Sequence, residues 1–406
     1  MKNKDYKGTA LDLVETVYME EYTPVVYGFI RFRSTLDIDR LHNAVRRSAQ
    51  TVPQIFCLYS YEHHKWIPAG FNTDSIIHFT TFELQHDTYI WDLQTGPQLK
   101  INVFRNDQQD SIQICMSHIL ADGAGLLQYL YLLCSYYNNP RLLVPAKMNS
   151  RRMAYSIFRT IPYRLRYLHN EQLNEEATVL LPADSDRHMP LTVKATLTEN
   201  QMNRIKERAR GLGITLNDLF MAAYAQAMKK MLPLNKRDIK IPCPANLRKY
   251  GKDTEQLTIA NMTGNFVCPV NLSQNYGIEE MAVYIHENML KQKTQYECFK
   301  GLALLEIAYA FLPISIARIL IKRFYTIEPI SYTNVGLIDE EKLLFDGLEI
   351  TECYVCGMYR PAPSFQLSIS TYNNVCTLAS NLLCTQKQKD AGARVIHQVV
   401  SELISM

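Results

Sequence analysis

The sequence carries no excess of one charge, no apolar leader and no uninterrupted membrane-length apolar run, and each absence removes a class of protein. Over 406 residues, 43 Lys and Arg stand against 40 Asp and Glu, a net charge of +3. Nothing in that balance calls for nucleic acid, and a charged ligand would have to be held by a local patch. The opening residues Met1 to Gly8 lack the apolar core of a signal peptide, so the expectation is a cytoplasmic chain whose 10 cysteines are mostly reduced. Cys353 and Cys356 form a Cys-x-x-Cys without a second pair at zinc-ribbon spacing, which favours packing as small hydrophobes over a metal or redox role. The most apolar window, Gly301 to Leu320, contains Glu306, Pro313 and Arg318. It reads as a buried or interfacial helix pair broken at Pro313, not a transmembrane span, and leaves open a peripheral contact with a lipid surface or a greasy substrate.

What is present describes an ordinary globular chain, 47% apolar and 20% charged, too long for one core and suggesting two domains or two similar halves. Leu36 to Ala49 has the apolar spacing of a helix begun near Asp37 or Asp39 and stopped before Pro53. Strand-like runs follow around Ile55 to Tyr59, Ile76 to Phe82, Leu99 to Phe104 and Ile112 to Ser117, predicted as a first sheet. Leu181 to Asp186 reads as a linker. Beyond it come strand Leu191 to Leu197, helices Glu199 to Arg210 and Leu219 to Met231 (the latter capped by Thr215), strand Asp238 to Pro242, the run Asn261 to Val270 and helix Glu279 to Lys293. Strand Ile330 to Val335, a hairpin from Phe365 to Leu383 turning at Asn373-Asn374, and a closing helix Lys389 to Ile404 complete the chain. Strands and helices mix in both halves, 1–185 and 186–406, so the class is α/β or α+β with two layers per half.

His118, Asp122 and Gly123 form a His-x-x-x-Asp-Gly hexapeptide. Upstream, Ile112, Ile114 and Met116 alternate with Gln113, Cys115 and Ser117, the period of a strand. Downstream, Leu126 to Leu133 is apolar enough for a mostly buried helix. The motif is therefore predicted on a strand-loop-helix corner, where catalytic groups often sit, with Gly123 and Gly125 allowing close backbone approach. A neutral imidazole there can take a proton from a hydroxyl or amine near neutral pH. Separately, Arg151, Arg152, Arg159, Arg164 and Arg166 are spread among Tyr155, Phe158, Tyr163 and Tyr167. That stretch is either a solvated helical face with snorkelling arginines or a patch for phosphate or an anionic membrane.

In order along the chain stand Gly96-Pro97-Gln98-Leu99 within Asp92 to Lys100, the His118 hexapeptide, Gly213 to Ala222, Pro244-Ala245-Asn246-Leu247-Arg248, Gly264-Asn265-Phe266, Tyr332-Thr333-Asn334-Val335-Gly336 and the Tyr372 hairpin. With these the chain resembles the CoA-dependent acyltransferase superfamily, which includes alcohol acetyltransferases, polyketide-associated acyltransferases, plant acyltransferases and condensation domains of nonribosomal peptide synthetases. The resemblance implies two chloramphenicol acetyltransferase-like halves forming a pseudo-dimer, with the histidine in a channel between them. It implies transfer of an acyl group from a thioester to an alcohol or amine, small or lipid-like, with His118 as general base and neither a metal nor a bound cofactor. Thr333 and Asn334 match a stretch placed near the reacting carbonyl, as oxyanion donors or as a plain polar turn. Asp122 is implied to be structural, paired with Arg248 across the halves, and Gly123 to serve geometry alone. Ser117 stands where condensation domains usually carry a preceding histidine, and no Asp-Phe-Gly-Trp-Gly occurs near the C-terminus, so a free-standing transferase is favoured over a synthetase module or a plant-type member.

Acyl-CoA is the expected donor, with Arg151 and Arg152 the nearest sequence candidates for its negative charges. An acyl carrier protein docking on the Arg151 to Arg166 region is the alternative, and a non-catalytic scaffold of the same fold is the reading from another class.

Overall fold

The computed structural model describes residues 6–80, 91–105, 108–141, 149–151, 157, 180–186, 188–232, 238–252, 256–325 and 327–405. The basic, aromatic stretch from Arg152 to Tyr167 lies outside them apart from Ile157. The first sheet has the order Ile350–Cys356, Val25–Phe32, Asp110–Ser117, Leu99–Arg105, Ile77–Thr80, antiparallel except for the last pair. Its Val25–Phe32 strand and its 350–356 edge carry no sequence prediction, for an identifiable reason. Val25–Phe32 is buried on both faces along most of its length, so it shows no alternation. The 350–356 edge comes from the far end of the chain.

The Ile55 to Tyr59 run behaves differently from the strand expected of it. Pro53–Phe56 forms a single 3-10 turn, and Cys57–Ser60 then pairs with Lys65–Pro68 as a separate two-stranded ribbon. Helix Ile38–Ser48 starts at Asp37, whose carboxylate accepts the Arg40 amide at 3.0 Å. It buries Leu41, Ala44 and Val45 beside helix Gly123–Asn138, whose Tyr129 hydroxyl meets Ser48 at 3.0 Å.

The second sheet centres on the hairpin Phe365–Tyr372 and Val375–Cys384, which turns where Asn373 and Asn374 take the positive φ that a tight two-residue hairpin demands. Ile330–Leu337 runs parallel to the first hairpin strand, and Met189–Leu197 and Arg360–Pro361 flank the second. Helices Glu199–Gly211, Leu216–Met231 and Gln386–Ile404 bury their apolar faces in the same core. Thr198, Thr215 and Thr385 each cap one of them through a reciprocal capping box. A long ribbon, Asp238–Asn246 against Thr263–Asn271, completes this half.

Two large hydrophobic cores result, one under each sheet, with a small third cluster of Leu13, Val17, Ala317 and Ile321, and residues Ile338 to Tyr359 contribute to the first although they follow most of the second in sequence. The apolar window forms helices Leu302–Phe311 and Ile314–Phe324, broken at Pro313. No helix among the described residues is long and apolar enough to cross a membrane.

Candidate functional site

The hexapeptide occupies the predicted corner. Strand Asp110–Ser117 ends at Ser117, whose amide donates to the Gln98 carbonyl at 3.0 Å, and the His118 amide donates to the Pro24 carbonyl at 2.7 Å. Gly96-Pro97-Gln98-Leu99 thus flanks the histidine directly. Helix Gly123–Asn138 begins at Asp122, which caps it by accepting the Gly125 amide at 2.7 Å.

Asp122 faces away from solvent, 4% exposed, and does more than cap. Its second oxygen accepts Arg248 Nη1 at 2.9 Å, the Met262 amide at 2.8 Å and the Thr263 hydroxyl at 3.2 Å. Arg248 spends its remaining donors on the carbonyls of Thr258 and Ala260 and on Asn246 Oδ1. Burial opposes ionisation of Asp122, but Arg248 and the amides of Gly125 and Met262 outweigh it and hold the carboxyl below the usual carboxylate range. With both oxygens engaged, this carboxylate is built to tie the motif loop to residues 246–263.

The tight backbone approach falls at Gly125. A Cβ there would meet Ala121 Cβ and the Ala260 carbonyl at 2.9 Å and Arg248 Nη2 at 3.2 Å, whereas one at Gly123 meets only Val335 at 3.5 Å. Gly125→Ala should therefore cost about 1–3 kcal/mol and Gly123→Ala less than about 0.5 kcal/mol in urea melts. Equal losses would contradict this packing.

A carboxylate absent from the sequence prediction stands beside His118. Helix Ala10–Val14, opened by a capping box of Thr9 and Asp12, ends at Glu15, whose Oε1 is 3.6 Å from His118 Nδ1. Asn261 Nδ2 donates to the same oxygen at 3.1 Å. The imidazole is 17% exposed, and Nδ1 is buried with no hydrogen bond among the described residues. Nε2 is thereby left as the nitrogen for a reacting partner. The Thr9-x-x-Asp12 pattern was the available signal for this helix.

Arg151 takes a different place from a donor-binding patch. Its side chain is 9% exposed, pairs with the fully buried Asp12 at 2.9 Å, donates to the Leu120 and Ile259 carbonyls at 2.6 and 3.2 Å, and lies over the Trp66 ring. It clamps the motif loop to the Glu15 helix and has no face left for an incoming polyanion. Arg152 lies outside the described residues.

Thr333 and Asn334 fall on strand Ile330–Leu337. The Asn334 amide donates to Asn217 Oδ1 at 3.1 Å and to the Tyr332 hydroxyl at 3.3 Å, and its oxygen accepts the Gly336 amide at 2.9 Å, so that side chain is occupied at both ends. Alternation turns Thr333 to the opposite face. Val335, at a bulge in the strand, contacts Gly123 of the motif.

Among the described residues no cluster of three or more His, Cys, Asp or Glu could hold a metal. All ten cysteines are free and buried. Cys353 and Cys356, three apart on one strand, point to opposite faces, and burial pushes the Cys356 thiol up to about 11 and Cys353 higher still.

No family model and no curated protein sequence matches the chain. Solved structures do match, over almost its whole length. Polyketide synthase associated protein 5 from Mycobacterium tuberculosis superposes with a TM-score of 0.66 at 15% identity, covering 97% of each chain. Trichothecene 15-O-acetyltransferase from Fusarium sporotrichioides gives 0.68 at 12%, covering 98% of this chain and 94% of that one. The first condensation domain of the calcium-dependent antibiotic synthetase gives 0.69 at 12%, covering 98% and 96%. The chain has the fold of the CoA-dependent acyltransferases and condensation domains. Within this acyltransferase fold the separated sequence anchors converge. Gln98, His118, Asp122 and Arg248 meet around one loop, and Asn217 of the Gly213 to Ala222 segment joins Tyr332 and Asn334.

Proposed function

We propose that the protein is an acyltransferase that moves an acyl group from a thioester to a hydroxyl or amine, with His118 as general base and no covalent acyl-enzyme. The observation that carries this is the imidazole at the strand end, with the Glu15 carboxylate 3.6 Å from its Nδ1. As the acceptor oxygen or nitrogen attacks the thioester carbonyl, its proton passes to Nε2. The tetrahedral intermediate collapses by breaking the carbon–sulfur bond, and the departing thiolate takes that proton back. Ester or amide and free thiol are the products. The Thr333 hydroxyl is the side-chain candidate for the oxyanion, since Asn334 is already engaged.

Two features support direct transfer. Ser117, the hydroxyl next to His118 in sequence, is fully buried and makes no hydrogen bond to the imidazole, so it is not activated as a nucleophile by His118. The cysteines are buried, and those whose pKa departs from the ordinary value are all raised, away from thiolate. The test is thiol release by purified protein from acyl-CoA, from acyl carrier protein, or from neither, with panels of alcohols and amines. Release from CoA or carrier names the donor; release from neither makes the protein a scaffold.

Glu15 then serves as a positioning residue. Losing the orienting carboxylate of a hydrolase triad costs about 10⁴ in kcat, and a 3.6 Å separation without a hydrogen bond should be worth less. Glu15→Gln is expected to lower kcat by roughly 10–10²-fold with KM unchanged, and Glu15→Asp to recover part of it. A change in KM alone would remove Glu15 from this role.

A further inference from the structure

The helical hairpin Leu302–Phe311 and Ile314–Phe324 is apolar on both sides, and among the described residues only one side is covered. Its inner face packs Ala317 and Ile321 against Leu13 and Val17. It is stapled there by Tyr309, which donates to the Gly8 carbonyl at 2.5 Å, and by Arg318 Nε, which donates to the Thr16 hydroxyl at 2.8 Å. The outer face presents Leu304, Ile307 and Phe311 at helical spacing on the first helix, and Ile316, Ile319 and Phe324 on the second. Phe311 is 82% and Ile319 68% exposed. A helix that is apolar all round is normally covered all round, and a contiguous exposed patch of this kind marks a contact surface.

Charge and shape decide between occupants. Side chains as exposed as Phe311 form a protruding crest, not a groove that would receive a peptide. Lys322 and Arg323 close the second helix, both exposed. Lys322 meets Glu21, in a pair about half exposed at each end, and lies over the Tyr18 ring, and Arg323 has no acidic partner among the described residues. Glu306 is the hairpin's single acid. An apolar crest with a cationic end fits an anionic interface into which side chains can sink.

We propose that the outer face of this hairpin docks the protein on an anionic lipid surface. Burial, with the Asp12 carboxylate adding to it, pushes Glu306 up to about 7, which lowers the cost of bringing that carboxyl close to lipid. The covered inner face packs on the segment that carries Glu15, so the hairpin itself stands between the docked face and that segment.

The experiment is sedimentation of the full chain with phosphatidylcholine vesicles, with and without phosphatidylglycerol, at low and high salt. It reads no catalysis, so its failure and that of the acyltransfer reading are separable. The chain is expected to bind the phosphatidylglycerol vesicles more strongly, and less so at high salt. Phe311→Ser with Ile319→Ser should weaken binding at least about tenfold, and Lys322→Glu with Arg323→Glu should weaken it on anionic vesicles only. Circular dichroism and melting temperature should be unchanged, because these side chains are exposed. Absence of vesicle binding, or binding insensitive to both double variants, would overturn the proposal. So would self-association that depends on Phe311 and Ile319 without vesicle binding, which would make a second copy the occupant.

Discussion

His118→Ala should lower thioester-dependent acyl transfer by about 10²–10⁴-fold, the usual worth of a positioned general base, while leaving the fold intact. The expectation of an intact fold follows from how the loop is held. The His118 amide bonds Pro24, Arg151 grips the Leu120 carbonyl and Asp122 anchors the following helix, so no backbone restraint depends on the imidazole. The measurement is thiol release with a competent acceptor, alongside circular dichroism. Turnover within a few-fold of the parent would show that the proton goes elsewhere.

Asp122→Ala should act first on stability. Removing one partner of a buried ion pair costs about 3–5 kcal/mol because the other charge stays behind, and here Arg248 would be left 5% exposed without a carboxylate. Arg248→Ala should be comparably damaging, and the double variant no worse than either single one. Additive losses would mean that the two groups stabilise the protein independently. The pair also sets a pH dependence. Because Asp122 is held below the usual carboxylate range in the folded protein, its stabilisation is complete above the ordinary carboxylate pKa of about 4. It is lost as pH falls through the lower folded value. The parent should lose melting temperature steadily below about pH 4, and Asp122→Asn should lack that component of the decline.

The legible parts of this molecule are those written in local pattern. The strand before His118, the buried helix after it and the Asn373-Asn374 turn follow from side-chain period and turn chemistry over a few residues. The Asp122–Arg248 pair came from resemblance, and its geometry shows why resemblance was needed: nothing within either segment says that Arg248 will meet a carboxylate so far back in the chain. Glu15 and Arg151 were opaque for the same reason. Glu15 looks like any acidic residue at a helix end, and only the closed fold sets it against an imidazole. Arg151 opens a run of arginines and tyrosines, which reads as a surface, yet it turns inward because the fully buried Asp12 needs a cation.

Strand Val25–Phe32 obtains one neighbour from Asp110–Ser117 and the other from Ile350–Cys356. During synthesis the ribosome delivers the first strand soon after Val25–Phe32 and the second much later. Until then the chain carries an apolar strand with an open edge, a template for pairing with the wrong molecule. The His118 corner rests on that strand through Val25, which pairs with Ser117, so the site reaches its final support only when translation has passed residue 356.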